Sequence, residues 1–261
     1  MIFMYNEVMG KVYVFVNQKG GVGKTTSAIN IGAYLAEAGK SVLLVDFDSQ
    51  ANLSSGVGID ANSAKPGIYE LMSGLAELKD VIKPTPIQNL EVIPASIDLS
   101  GAAVELIEQD NRDFYLKNAI KPVKNRYDFI LIDCPPSLGV LTINGMAAAD
   151  AVLIPMQSEY FAMEGLSHLL QTIRRIKKGT NPDLEIGGIF FTMFDSRTRL
   201  AKEVIKEISG YFRDKVLTTI IPRNVRLSEA PSHGIPIMVY DPQSTGAKAY
   251  RKLAGEVLNG R

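Results

Sequence analysis

Short runs of consecutive apolar residues recur along this chain, separated by longer stretches in which apolar positions return every three or four residues. The runs Val12–Val16, Ser41–Val45, Leu90–Ile93, Phe129–Ile132, Ala151–Ile154, Ile186–Thr192 and Val216–Ile221 are rich in β-branched and aromatic residues and predict strands. Between them the spacing changes to helical. Thr25 to Ala38 reads as a helix closed by Gly39. Further on, Leu166, Leu169, Leu170, Ile173 and Ile176 line one face of a second helix. Its last turns carry Arg174, Arg175, Lys177 and Lys178, charges that suit the helix dipole and solvent. Strands that are apolar throughout are buried on both faces, so the alternation predicts an α/β fold: a doubly wound, mainly parallel sheet with helices on both sides. Ligands of such sheets bind at the carboxyl ends of the strands. Three of those ends carry notable residues: a glycine loop, Asp46 with Asp48, and Asp133. No Pro/Gly/Ser-rich linker divides the chain. A single domain is expected over 11–261, with a flexible extension over 1–10.

Composition narrows the classes. Of 261 residues, 46% are hydrophobic and 21% charged, which is ordinary for a globular chain. No apolar run approaches the roughly 20 residues of a membrane span, and the start lacks the basic and apolar regions of a signal peptide. The lone cysteine, Cys134, excludes an internal disulfide and a cysteine-built zinc cluster. These features lead us to expect a cytoplasmic protein. The formal net charge of zero conceals an asymmetry. Residues 197–261 hold 12 Lys and Arg against 6 Asp and Glu, and the remainder hold 16 against 22. A basic segment has two readings, a nucleic-acid surface or solvated helix faces. His168, in the second helix, and His233, in a Ser-His-Gly turn, read as packing or solvated residues.

The strongest chemical signal is Lys19-Gly20-Gly21-Val22-Gly23-Lys24-Thr25-Thr26, set between a strand and a helix. Glycines let backbone N–H groups turn inward around phosphate oxygens, and the following helix aims its N-terminus at the same anion. Lys24 has the reach for β- and γ-phosphates, and Thr25 offers a hydroxyl to Mg²⁺. The usual spacing asks for glycine at position 18, where this chain has Gln18. Lys19 has two readings, a solvated lysine or a cation that reaches a phosphate held by another subunit. An Asp after an apolar strand suits Mg²⁺ through a bound water, and a second carboxylate can orient the attacking water. A lone Asp there would read as a turn former. Asp46, Asp48 and Asp133 around one phosphate loop read instead as a site.

The motif Lys19 to Thr26 resembles the deviant phosphate loop of the ParA/MinD ATPases, and within them the chain is most similar to the ParA/Soj chromosome-partitioning ATPases. The likeness extends through 17–26, 43–52 (LLVDFDSQAN), 127–137 (YDFILIDCPPS), 159–167 (EYFAMEGLS) and 221–234 (IPRNVRLSEAPSHG). Two positions depart from the family pattern: Ser49 stands where a proline is usual, and Ser158 where a cysteine is common. The resemblance implies a P-loop NTPase that hydrolyses ATP with Mg²⁺ and binds it through Lys19, Gly20, Gly21, Val22, Gly23, Lys24, Thr25 and Thr26. It implies that Lys24 serves the protein's own ATP and Lys19 that of a partner in a homodimer. It implies that Thr25, Asp48 and Asp133 serve Mg²⁺, that Asp48 also positions the hydrolytic water, and that Pro222, Arg223 and Asn224 border the adenine. It further implies sequence-independent DNA binding by the ATP-bound dimer through Arg197 and Arg226, with Lys248, Arg251 and Lys252 as further candidates. A ParB/Spo0J-type centromere-binding partner and a nucleoid-associated location complete the expectation.

Three other readings bear on these residues. A MinD-like ATPase acting at membranes needs an amphipathic C-terminal helix. Tyr250, Leu253, Val257 and Leu258 form an apolar stripe, but one without Trp or Phe that reads as covering the sheet. A nitrogenase-type iron protein needs cysteine ligands that Cys134 alone does not supply. A sequence-specific regulator needs a helix-turn-helix, for which too few residues precede the first strand.

Overall fold

The computed structural model describes residues 10–60 and 64–260. The extension expected over 1–10 lies outside these residues except for Gly10, which is buried. A Cβ there would stand 2.1 Å from the Tyr127 carbonyl oxygen and 2.5 Å from that of Lys124.

Seven strands form one sheet: β1 (Lys11–Phe15), β2 (Val42–Asp46), β3 (Lys83–Pro84), β4 (Leu90–Ile93), β5 (Phe129–Asp133), β6 (Ala151–Gln157) and β7 (Glu185–Thr192). Their order is β3-β4-β2-β5-β1-β6-β7. Every pair is parallel except β3 with β4. The chain therefore builds outward in one direction from β1 and then returns to build in the other, which is the doubly wound arrangement expected. Most expected strands are displaced from their observed bounds by one to three residues. The run Val216–Ile221 is a larger departure, because it meets β7 only at its two ends, at an isolated bridge from Val216 to Ile189 and through the Ile221 amide on the Phe191 carbonyl at 2.8 Å. Its Thr218 and Thr219 amides are spent on the Glu256 carboxylate at 2.7 and 2.8 Å, so no ladder propagates.

The strands are apolar throughout because both sheet faces are covered. Val12, Val14, Leu43, Val45, Ile130 and Ile132 turn to one core, whereas Tyr13, Phe15, Val42, Leu44, Phe129 and Leu131 turn to the other. Among the described residues, the helices of nine residues or more are α1 (Lys24–Glu37), α2 (Val140–Ala148), α3 (Ala162–Lys178), α4 (Arg199–Phe212) and α5 (Thr245–Leu258). Helix α3 presents Leu166, Leu169, Ile173 and Ile176 to the first core, as the spacing predicts. Helices α1 and α5 cover the second.

The α5 stripe faces inward: Tyr250, Leu253 and Val257 are 1%, 0% and 2% exposed. The Tyr250 hydroxyl shares a 3.0 Å hydrogen bond with Ser27 of α1, and Arg251 reaches Glu37 at 2.7 Å while lying over the Tyr34 ring. No helix among the described residues is long and apolar enough to cross a membrane. The stripe is thus consumed by the core. Leu253→Ala is expected to destabilise the fold by about 2–5 kcal/mol, read by urea unfolding. A loss below about 1 kcal/mol would mean that α5 is only loosely attached.

Candidate active site

The sheet order places β5 between β1 and β2, in a register that pairs Asp133 with Phe15 on one side and Asp46 on the other. The carboxyl ends of three adjacent strands thus converge on one point. The glycine loop leaves β1 there and feeds α1. Gly21 and Gly23 take left-handed backbone conformations, φ +70° and +87°, which a side chain would strain. The loop is braced from below. The Thr192 hydroxyl at the end of β7 donates to the Val22 carbonyl at 2.8 Å, and Asn17 donates to the Pro155 carbonyl at 2.8 Å.

Lys24, the first residue of α1, is only 6% exposed, and among the described residues its ammonium has the Lys19 carbonyl, at 3.5 Å, as its hydrogen-bond acceptor. Burial pulls its pKa down, against the opposing pull of Asp133, Cys134 and Asp48. Asp133 is 1% exposed, and both of its carboxylate oxygens are buried without a hydrogen-bond partner among the described residues. Burial, and then the Asp46 carboxylate, raise its pKa. The Thr25 hydroxyl and Lys24 oppose that rise without cancelling it. A buried cation and a buried acid left short of partners are costly unless something further binds between them.

Asp46 differs from the expectation that groups it with the other two. Its carboxylate accepts the Ser54 amide at 2.8 Å and the Ser54 hydroxyl at 2.7 Å. Burial pushes its pKa up to about 6, and the Ser54 bonds work against that. The group is occupied in holding the turn that follows β2. Asp48, two residues on, is partly exposed and accepts the Gln50 amide at 3.1 Å.

A cleft of about 550 Å³ lies over the loop, lined by Gly20, Gly21, Gly23, Lys24, Thr25, Thr26 and Asp48. A second cavity of about 480 Å³ adjoins it, sharing Gly23, Thr26, Met193 and Pro231, and is walled by Pro222, Arg223 and Asn224. The two together offer an anion cradle beside a more enclosed pocket. A larger cavity of about 1000 Å³ opens at the amino ends of the strands, beside Lys11, Phe129, Ala151 and Glu185, and carries none of the expected site residues. Among the described residues no three carboxylate, histidine or cysteine side chains converge as a metal cluster. That fits Mg²⁺, which takes one or two carboxylates and completes its shell with water and substrate phosphate. The left-handed glycines, the underpartnered Lys24 and the orphaned Asp133 fit a nucleotide with its divalent ion.

The remaining expected residues separate into groups. Arg197 follows β7 and is bidentate to Asp195, with its side chain 87% exposed. Arg226 pairs with Glu229 at 2.9 Å and Asp241 at 3.6 Å. The turns that carry them lie side by side, joined by Phe194 N–H to the Ile221 carbonyl and Arg223 N–H to the Phe194 carbonyl. Arg251 is elsewhere. Its partner Glu37 ends α1, about 20 Å from the loop at 1.5 Å per residue. Lys248 and Lys252 are exposed on the same helix α5. Sequence reasoning missed Gln157, Thr192 and Met193, which the structure places against the loop. The first two stand at the carboxyl ends of β6 and β7, the position that the strand-end rule singles out.

Comparison with known proteins agrees with this geometry. An AAA-domain family profile matches residues 10–186. Over 250 residues the chain is 62% identical to the chromosome-partitioning ATPase Soj of Treponema pallidum, covering 96% of this chain and 98% of that one. It is 55% identical to the sporulation initiation inhibitor protein Soj of Bacillus subtilis, covering 95% and 98%. Among solved structures, cobyrinic acid a,c-diamide synthase from Mycobacterium smegmatis with bound ADP and magnesium superposes with a TM-score of 0.84. Its identity is 37%, with 96% of this chain and 95% of that one covered.

Two substitutions test the site. Lys24→Ala removes the buried cation and is expected to weaken ATP binding at least about tenfold, the loss of a charge-assisted hydrogen bond, read by calorimetry. Asp48→Ala is expected to keep ATP affinity within about threefold while turnover falls on the order of a hundredfold. Normal turnover would remove Asp48 from the chemistry.

Proposed function

This chain belongs to the ParA/Soj family of chromosome-partitioning ATPases, and from that premise we propose that it is a Mg-ATP-driven switch that dimerises, binds DNA without sequence preference and drives DNA partitioning. It is an ATP hydrolase that uses Mg²⁺. The observation that carries the chemical reading is the buried Asp133 carboxylate without a partner, set opposite Lys24 behind the glycine loop.

In this reading the loop amides and Lys24 cradle the β- and γ-phosphates, and Thr26 supports them at the start of α1. Thr25 and Asp133, with Asp48, hold the divalent ion. Mg²⁺, when bound, draws negative charge from the phosphates and so favours attack at the terminal phosphorus. Asp48, partly exposed at the mouth of the cleft, orients the attacking water. The cavity bordered by Pro222, Arg223 and Asn224 takes the adenine. Lys19 belongs to the phosphates of the second subunit in a homodimer.

DNA binding is assigned to Arg197 and Arg226 on the two joined turns, with Lys248, Arg251 and Lys252 as weaker contributors. Each of the two arginines already faces a carboxylate in its own chain, so neither meets a duplex as a free cation. Dimerisation doubles the number of phosphate contacts, and affinity rises steeply with that number. ATP then governs DNA affinity without touching DNA. A ParB/Spo0J-type partner triggers hydrolysis and release, and the protein works in the cytoplasm on the nucleoid.

The deciding experiment is a mobility-shift series with ATP, ADP and no nucleotide, on unrelated duplexes and across salt. Binding is expected with ATP alone, falling at least about tenfold for a fourfold rise in salt. Arg226→Ala is expected to weaken all duplexes equally while ATP-dependent dimerisation persists. Equal affinity with ATP and ADP would reject the switch, and lost dimerisation in Arg226→Ala would move that residue to the subunit interface.

A further inference from the structure

Lys19 is the phosphate-loop cation that its own site does not use, and the structure gives it another occupation. Its ammonium lies 2.6 Å from Glu159 Oε2 and 3.1 Å from Gln157 Oε1. Gln157 ends β6, and Glu159 lies in the turn that follows it. Gln157 joins that turn to the loop a second time, since its Nε2 donates to the Gly21 carbonyl at 3.1 Å and to the Met193 sulfur at 2.9 Å. The cation is thus held on its own subunit by a strap across the glycine loop. The two residues after Glu159 are Tyr160 and Phe161, 74% and 72% exposed and packed edge to face on one another at 5.1 Å. Two adjacent aromatic rings turned to solvent beside a phosphate site form an unburied apolar face.

We infer that the Glu159–Phe161 turn is a latch on dimerisation: Glu159 and Gln157 hold Lys19 in cis until the second copy of this chain buries Tyr160 and Phe161 and Lys19 exchanges its carboxylate for that copy's phosphates. The second copy is the fitting occupant because the aromatic face is continuous with the loop residue proposed to cross to it. The inference therefore rests on the dimeric reading of function. The energetics suit a latch. Lys19 and Glu159 are 51% and 59% exposed, and a pair so open to water is weak enough to be exchanged for two polyanions. Each protomer releases its own latch, two per dimer, so the latch enters the dimer constant twice.

The test uses the full chain in two measurements. In the nucleotide-free protein, hydrogen exchange at the Gly20–Gly23 amides is compared for Lys19→Gln, Glu159→Gln and the double variant. Each single change is expected to speed exchange about two- to fivefold and the double no further. Independent, multiplying effects would overturn the cis pair. In sedimentation with a non-hydrolysable ATP analogue, Glu159→Gln is expected to tighten the dimer roughly four- to twentyfivefold, with nucleotide affinity of the monomer unchanged. A dimer no tighter than wild type overturns the latch. Phe161→Ser is expected to weaken the dimer while leaving the exchange rates alone, and an unchanged dimer would remove the aromatic face from the interface. Wild-type protein that stays monomeric overturns the dimeric reading and the exchange of partners with it, whereas the cis pair is judged separately by the exchange cycle.

Discussion

The insertion of β5 between β1 and β2 is the constraint on which the site depends. Because the three strands are parallel and in register, the glycine loop, the Asp46 turn and Asp133 reach one edge of the sheet together. A hairpin connection would have sent their ends in opposite directions. The doubly covered sheet then forbids water behind that edge, since alternate residues of each strand fill separate apolar cores on its two sides. The chemistry sits where the backbone amides of the loop and the first turn of α1 point outward and everything beneath is dry.

That dryness sets the electrostatics. Lys24 and Asp133 are buried with incomplete hydrogen bonding, and each is moved by burial toward its neutral form. A protein interior tolerates such groups when a ligand completes them, and removing one of a coupled pair leaves the other worse off. Asp46 shows the contrasting solution one strand away. It is equally buried, yet Ser54 gives it two donors, and it serves as a structural anchor. Two carboxylates at matching positions on neighbouring strands therefore divide into a satisfied residue that shapes the turn and one left without a partner among the described residues.

Much of this is legible in the sequence, for a physical reason. Parallel strands announce themselves as continuous apolar runs, and the phosphate loop is a contiguous segment whose function is carried by its own backbone. What depends on distant partners is not legible. Val216–Ile221 has a strand's composition, but Glu256, 38 residues beyond Thr218, takes the amides that a ladder would use. β3 consists of two residues, one of them proline, and has no periodicity to read. Asp46 looks like Asp48 until Ser54 is seen to occupy it. Gln157, Thr192 and Met193 come to the loop only through the strand order, which no local pattern encodes. The basic C-terminal segment likewise reads as one surface, whereas the fold sets Arg251 against Glu37 at the end of α1 and Arg197 and Arg226 on the two joined turns.

That separation bears on how the cations work. Arg197 is clasped by Asp195, whose carboxyl is held well below its usual range by the hydrogen bonds it accepts from that arginine. Arg226 lies between Glu229 and Asp241. A phosphate arriving at either arginine competes with a carboxylate already in place, so each contact contributes less than a free cation would. The same carboxylates fix the direction of the guanidinium groups, and planar, pre-oriented donors lose less freedom on meeting a phosphate. Weak but oriented contacts give steep dependence on their number, because affinity changes with the count of phosphates neutralised far more than with the strength of any one. The switch proposed above, which works by doubling contacts, needs each to be individually insufficient, and internal pairing of the arginines fits that proposal.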